Sequence, residues 1–283
     1  MPILKVTRGL WGSSHPGPTV VVTTLAVALA VSAGLSLDRL LLLGLAVFLG
    51  QLSVGISNDA FDAERDRAVG RADKPLARGD LSVRAAWTAA IGCLVLALAL
   101  SAPLGLWLLG AHAVFLAASW AYNAGLKASV FSLAPFILAF GLFPSFATLA
   151  DEDPGFAAPW AGFAGAALGA AIHLTNVLPD LDDDARTGIT GLPHRLGARP
   201  SAALAAAAVL AGGIAVTAGS AGWQLQQVPV ISWVFFAAVG SVALLALVMA
   251  VRARSGRVLF RLVMLAALLL AAQLVVAGGS LAG

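Results

Sequence analysis

The sequence predicts an all-α polytopic membrane protein of about nine transmembrane helices, arranged as two pseudo-repeated helical halves around a central cavity. Composition is the first ground. Hydrophobic residues make up 60% of the chain and charged residues only 11%, with a mean hydropathy of +0.93. Soluble domains carry about 25% charged residues. The second ground is pattern: continuous apolar runs of membrane-crossing length recur along the chain. Strict alternation, the mark of a β-barrel, is missing from those runs. The third ground is a repeated acidic segment, treated below.

The runs predict spans at about 17–35, 40–58, 84–102, 105–122, 130–149, 158–177, 201–219, 229–250 and 259–280. Pro and Gly mark many of the junctions, among them Pro16-Gly17-Pro18, Pro103, Pro154-Gly155 and Pro200. The expected organisation is one transmembrane domain over 1–283. Its pseudo-repeat units are about 17–127 and 130–250, with an extra helix at 259–280. No cleavable signal peptide is evident, and the first run reads as a retained span. Cys93 is the single cysteine, so a disulfide within the chain and a zinc site of cysteines are excluded.

Charge placement predicts orientation. The N-terminus and the segments near 59–83, 123–129, 178–200 and 251–258 hold every Lys and Arg except Arg39. The opposite connections hold Arg39 with Asp38, Asp151, Glu152 and Asp153. This bias predicts a cytoplasmic N-terminus and cytoplasmic basic loops in a plasma membrane of bacterial type, with Gly283 outside. The net charge of +3 implies no nucleic-acid partner.

Residues 58–79 read NDAFDAERDRAVGRADKPLARG, and residues 176–197 read NVLPDLDDDARTGITGLPHRLG. Asn58 and Asn176, Asp62 and Asp180, Asp66 and Asp184, Gly70 and Gly188, Pro75 and Pro193, and Gly79 and Gly197 each stand 118 positions apart. Such regularity predicts duplicated units. In each, Asn, Asp and Asp at i, i+4 and i+8 form one stripe at the end of a membrane helix. Carboxylates there are costly unless they face a polar cavity or a cation. Hard oxygen donors that leave room for phosphate suit Mg²⁺. Interleaved Arg and Lys suggest a metal-bridged diphosphate. Arg65, Arg84, Arg199 and the 252–261 cluster read as ordinary solvated positive charge.

These residues resemble the UbiA-type intramembrane prenyltransferases. Asn58-Asp59-x-x-Asp62-x-x-x-Asp66 matches that family's first motif and Asp180-x-x-x-Asp184 its second. Tyr122-x-x-x-Leu126-Lys127 matches its Tyr-x-x-x-Leu-Lys element. The resemblance implies Mg²⁺-dependent transfer of a prenyl group from a polyprenyl diphosphate to an aromatic or other lipophilic acceptor, in quinone or isoprenoid-lipid biosynthesis, with membrane lipid around the enzyme. It implies metal ligation by Asn58, Asp59, Asp62, Asp66, Asn176, Asp180 and Asp184. Arg67, Lys74 and Lys127 would contact the diphosphate, and Tyr122 would lie near the reacting carbon. Where the family often has Arg-Pro-Ile-Pro-Ser-Gly, this chain has Lys74-Pro75-Leu76-Ala77-Arg78-Gly79, with Arg78 expected to compensate for the lost guanidinium. A transporter with intramembrane acids and a CDP-alcohol phosphotransferase are the rival readings. The cytoplasmic-end placement of the acids disfavours the first, and the absence of the single Asp-Gly…Ala-Arg…Asp motif disfavours the second.

Other residues carry two readings. His15, His112 and His173 suit either acceptor contact or hydrogen bonding within the protein. Trp11, Trp107, Trp120, Trp160 and Trp223 suggest an interfacial aromatic belt. Phe61, Phe136, Phe140 and Phe143 suit either a prenyl tunnel or packing.

Overall fold

A computed structural model describes residues 3–176, 190–252 and 257–282. The described residues contain helices and no strand. The first half comprises α1 (Ile3–Ser13), α2 (Pro16–Ser32), α3 (Leu37–Ala68), α4 (Pro75–Arg78), α5 (Val83–Ser101) and α6 (Leu106–Ala124). The second comprises α7 (Ala134–Leu142), α8 (Ser145–Leu149), α9 (Pro159–Asn176), α10 (Leu192–Leu196), α11 (Ala198–Gly219), α12 (Val230–Val251) and α13 (Arg257–Val276).

Helical segments lie at each expected span. Five of them are long and apolar enough to cross a membrane, or six if the α1–α2 pair, bent by 68°, is one span. Part of the shortfall from the expected nine has a physical cause. The 130–149 run is broken into α7 and α8 around Phe143 and Pro144. Helix α9 is diluted by glycines that serve packing. A Cβ on Gly165 would sit 2.2 Å from the Phe140 carbonyl oxygen, and one on Gly169 would sit 2.4 Å from that of Phe136. Bare glycines let α7 and α9 cross at backbone contact.

Neighbour contacts run from α2 to α3, α6, α7, α9 and α13, and from α13 back to α2, which closes a ring. Ser32 Oγ donates to Val275 O at 2.6 Å across that closure. Helix α5 packs on α3, α11 on α9, and α12 on α11 and α13. One large apolar core fills the ring. A smaller cluster, centred on Ile56, Ala60, Ala63, Leu76 and Leu81, forms a floor beneath the first acidic segment.

Helix α3 positions the site. At 1.5 Å per residue its 32 residues reach about 48 Å, well beyond a hydrocarbon core of about 30 Å. The first part is apolar, and the last three turns carry Asn58 to Arg67 past the apolar layer. Gly55 fixes how the N-terminal segment crosses it, because a Cβ there would lie 2.2 Å from Ser14 O. The α1–α2 junction therefore rests on α3 one turn before Asp59.

Candidate active site

The chain leaves α3 through a turn at Gly70, where φ is +71°, a conformation that costs glycine little. It then folds back. Pro75 opens α4 and Gly79, with φ +77°, ends it. The return places Lys74 over the helix it came from. Lys74 Nζ lies 2.8 Å from Asp59 Oδ1 and 3.1 Å from Asp66 Oδ2. Arg67 Nε donates to Leu76 O at 3.2 Å and ties the fold-back down.

Asp59, Asp62 and Asp66 are 2%, 7% and 2% exposed. Carboxylates this buried demand partners. Lys127, in the turn after α6, reaches Asp62 Oδ1 at 2.5 Å. Arg65 lies 3.0 Å from Asp62 and 3.6 Å from Asp66. His15, at the α1–α2 junction with φ 53°, places Nε2 2.9 Å from Asp59 Oδ1. Three carboxylates thus meet Lys74, Lys127 and Arg65, with His15 at one end. Burial alone would lower the Lys74 pKa, but the Asp59 and Asp66 carboxylates outweigh it and raise it. For Lys127 burial wins: its pKa falls despite Asp62, with Arg65 and Lys74 adding repulsion.

Two expectations from the sequence change here. Arg65 is not simple solvated charge, since it bridges two carboxylates. Arg78 does not compensate for the Lys at position 74. Its Nε donates to Asp80 at 2.7 Å and its Nη1 to Ala72 O at 2.8 Å, directing it away from the stripe.

Asn123 is a residue the sequence reading passed over. It sits beside Tyr122 and is 4% exposed. Its Nδ2 donates to Val54 O at 2.9 Å and Ser57 Oγ at 3.0 Å, and its Oδ1 accepts from Asn58 Nδ2 at 3.0 Å. That last bond occupies the Asn58 amide nitrogen and leaves its Oδ1 as the ligand-type atom. A buried amide at the end of a membrane helix, inside the Tyr-x-x-x-Leu-Lys element, was the available signal.

Tyr122 faces the second half. Its ring lies edge-on to Phe136 at 5.1 Å and to His173 at 5.7 Å. His173 Nε2 and Ser132 Oγ share a hydrogen bond of 3.0 Å. Asn176, exposed, follows one turn later at the end of α9. The ends of α3, α6 and α9 are thereby linked through Asn58–Asn123 and Tyr122–His173. Asp180 and Asp184 lie outside the described residues.

The described donors fit half of a magnesium site. Asn58, Asp62 and Asp66 offer oxygen alone, as Mg²⁺ prefers. Asp66 Oδ2 is buried without a well-aligned hydrogen bond, despite its approach to Lys74. Among the described residues, no group of three or more His, Cys, Asp or Glu side chains could hold a metal by itself. A complete site needs oxygens from beyond this stripe.

His112 and several of the aromatics pack within the protein. His112 Nδ1 shares a 2.7 Å hydrogen bond with Ser101 Oγ, within a Phe115–Phe143–Phe146 cluster. Phe61 packs edge-on against Trp87 at 4.7 Å. Trp11, Trp107 and Trp223 are exposed as a belt requires, but Trp160 is 8% exposed and packs over Gly219. Trp120 donates from Nε1 to Ser53 Oγ at 3.1 Å.

Comparison with known proteins places this geometry. A structure of digeranylgeranylglyceryl phosphate synthase superposes with a TM-score of 0.74 at 16% identity, covering 97% of this chain and 99% of that one. A UbiA homologue from Aeropyrum pernix K1 gives 0.73 at 21% identity, over 92% and 98%. One from Archaeoglobus fulgidus, bound to GPP and Mg²⁺, gives 0.67 at 18% identity, over 95% and 99%. At these identities the likeness is one of fold. No curated protein matches the chain by sequence. The family model for UbiA prenyltransferases, however, matches residues 19–269, nearly the full length, and the chain belongs to the UbiA prenyltransferase family.

Proposed function

We propose that this prenyltransferase moves a prenyl group from a polyprenyl diphosphate, bound with Mg²⁺, to an aromatic or other lipophilic acceptor in quinone or isoprenoid-lipid biosynthesis. The observation that carries this reading is the stripe of three buried carboxylates already matched by three cations. Such a cluster balances charge without a ligand and can exchange those cations for metal and phosphate. The Archaeoglobus fulgidus homologue bound to GPP and Mg²⁺ supports the same assignment.

Asn58, Asp59, Asp62 and Asp66, with Asn176, Asp180 and Asp184 of the second motif, would hold the metal. Mg²⁺ there would neutralise charge on the departing diphosphate. Lys74 and Lys127, which pair with the carboxylates, would turn to phosphate oxygens, and Arg67 steadies the fold-back while adding positive charge. Tyr122 and Phe136 present ring faces and edges beside the reacting carbon, where a π-system stabilises developing cationic charge. The apolar core excludes water that would otherwise capture that carbon.

The proposal includes nine crossings, with units at about 17–127 and 130–250 and a last helix at 259–280, in a single domain over 1–283. The basic loops support a site on the cytoplasmic face, and the proposed setting is a bacterial plasma membrane. The test is prenyl transfer by purified protein with Mg²⁺, labelled prenyl diphosphates of several lengths and a panel of aromatic and lipid acceptors. Metal-dependent product should form, and Asp62→Ala and Asp180→Ala should abolish it. If no acceptor yields metal-dependent product, the reading fails.

A further inference from the structure

Helix α1 is amphipathic and turns 68° from α2, so it lies across the end of the membrane helices rather than along them. Its apolar face, with Val6 and Leu10, packs on the floor of Leu76 and Leu81. Gly9 and Gly12 bring it close: a Cβ on Gly12 would meet Pro75 Cγ at 2.9 Å. Leu4 and Trp11 remain 64% and 47% exposed. Exposed apolar side chains beside basic ones are the pattern of a helix seated in the headgroup layer.

Between α1 and α4 lies a notch of about 450 Å³ lined by Leu4, Lys5, Arg8, Gly9, Arg78 and Asp80. It holds three cations and one carboxylate. Asp80 draws two of the cations together, accepting from Lys5 at 3.0 Å and from Arg78 at 2.7 Å. Arg8 makes no hydrogen bond or ion pair among the described residues. None of the buried carboxylates of the active site lines the notch. A phosphate monoanion or diester suits it, because the uncompensated charge is positive and guanidinium groups offer paired donors.

We propose that this notch binds the phosphate of an anionic phospholipid headgroup, with Leu4 and Trp11 set toward its acyl chains. The exposed apolar pair favours a lipid over a free anion, which would gain nothing from it. A headgroup held by Lys5 and Arg8 on α1 and by Arg78 on α4 clamps the two elements together, next to Lys74.

The test is native mass spectrometry of the detergent-purified full chain titrated with phosphatidylglycerol, phosphatidylcholine or inorganic phosphate. Phosphatidylglycerol should be retained in preference to phosphatidylcholine. Lys5→Gln and Arg8→Gln should each lower its retention about five-fold, the effect of one basic residue at a lipid surface. Arg84→Gln, on an exposed arginine outside the notch, should leave retention unchanged. Equal retention by wild type and Arg8→Gln overturns the proposal. So does an equal loss in Arg84→Gln, which would mean bulk charge, or displacement of the lipid by inorganic phosphate, which would mean a soluble-anion site. If Lys5→Gln is poorly folded by circular dichroism, Arg8→Gln decides, because Arg8 makes no hydrogen bond or ion pair among the described residues.

Discussion

Lys74 illustrates how single residues set the behaviour of the site. Its side chain is 14% exposed and shared between Asp59 and Asp66. Removing one partner of a buried ion pair leaves charge uncompensated, at a cost of about 3 kcal/mol. Lys74→Gln should therefore lower the thermal unfolding midpoint in EDTA. Magnesium should recover more of that loss in the variant than it adds to the wild type, since a cation is what the carboxylates lack. Equal Mg²⁺ responses would show that these oxygens do not see the metal. The acids of the first stripe share one face of α3, as a period of four in the letters predicts. The letters did not show which cation serves which acid. That depends on the fold-back through Gly70 and Gly79, and so Arg65 was read as solvated and Arg78 as a substitute that it is not.

At the scale of elements, close crossings matter more than hydropathy. Helix α9 carries Gly165 and Gly169 at its contact with α7. Hydropathy counting registers such glycines only as missing hydrophobicity, where the structure has backbone contact. Gly55 has the same function for the α1–α2 junction, and thus for His15 above Asp59. Gly169→Ala and Gly55→Ala should each destabilise the purified protein by about 1–3 kcal/mol, as overpacking does. Gly92→Ala, in α5 with nothing within 4 Å of its added Cβ, should be neutral or stabilise by up to about 1 kcal/mol through helix propensity. Unfolding midpoints in one detergent compare the three. Destabilisation by Gly92→Ala equal to that by Gly169→Ala would contradict the crossings described. Asn123 also belongs to this scale. Its three hydrogen bonds lock the end of α6 to α3, a contact between distant segments that no local pattern announces.

For the whole molecule, membrane embedding was legible because it is written in composition. The closed ring from α2 round to α13 was not, since it rests on which faces meet. The ring also explains the one basic residue on the less basic side. Arg39 Nη1 donates to Ala150 O at 2.8 Å and Asp151 O at 3.3 Å, so the start of α3 is pinned to the 150–153 turn. An arginine committed to carbonyl oxygens is a structural clasp and not a topological signal. The expected orientation then rests on the basic loops alone, which would set Arg71 in the cytoplasm and Glu152 outside. Cys93 is the sole cysteine, so a Cys93→Ser background permits a direct measurement. In intact cells, Glu152→Cys should react with a membrane-impermeant maleimide, and Arg71→Cys should react only after permeabilisation. Both positions are exposed to the aqueous phase on either orientation, so a reversed pattern would invert the molecule. It would put the carboxylate stripe on the outer face of the membrane, against the cytoplasmic-face site that the proposed function requires.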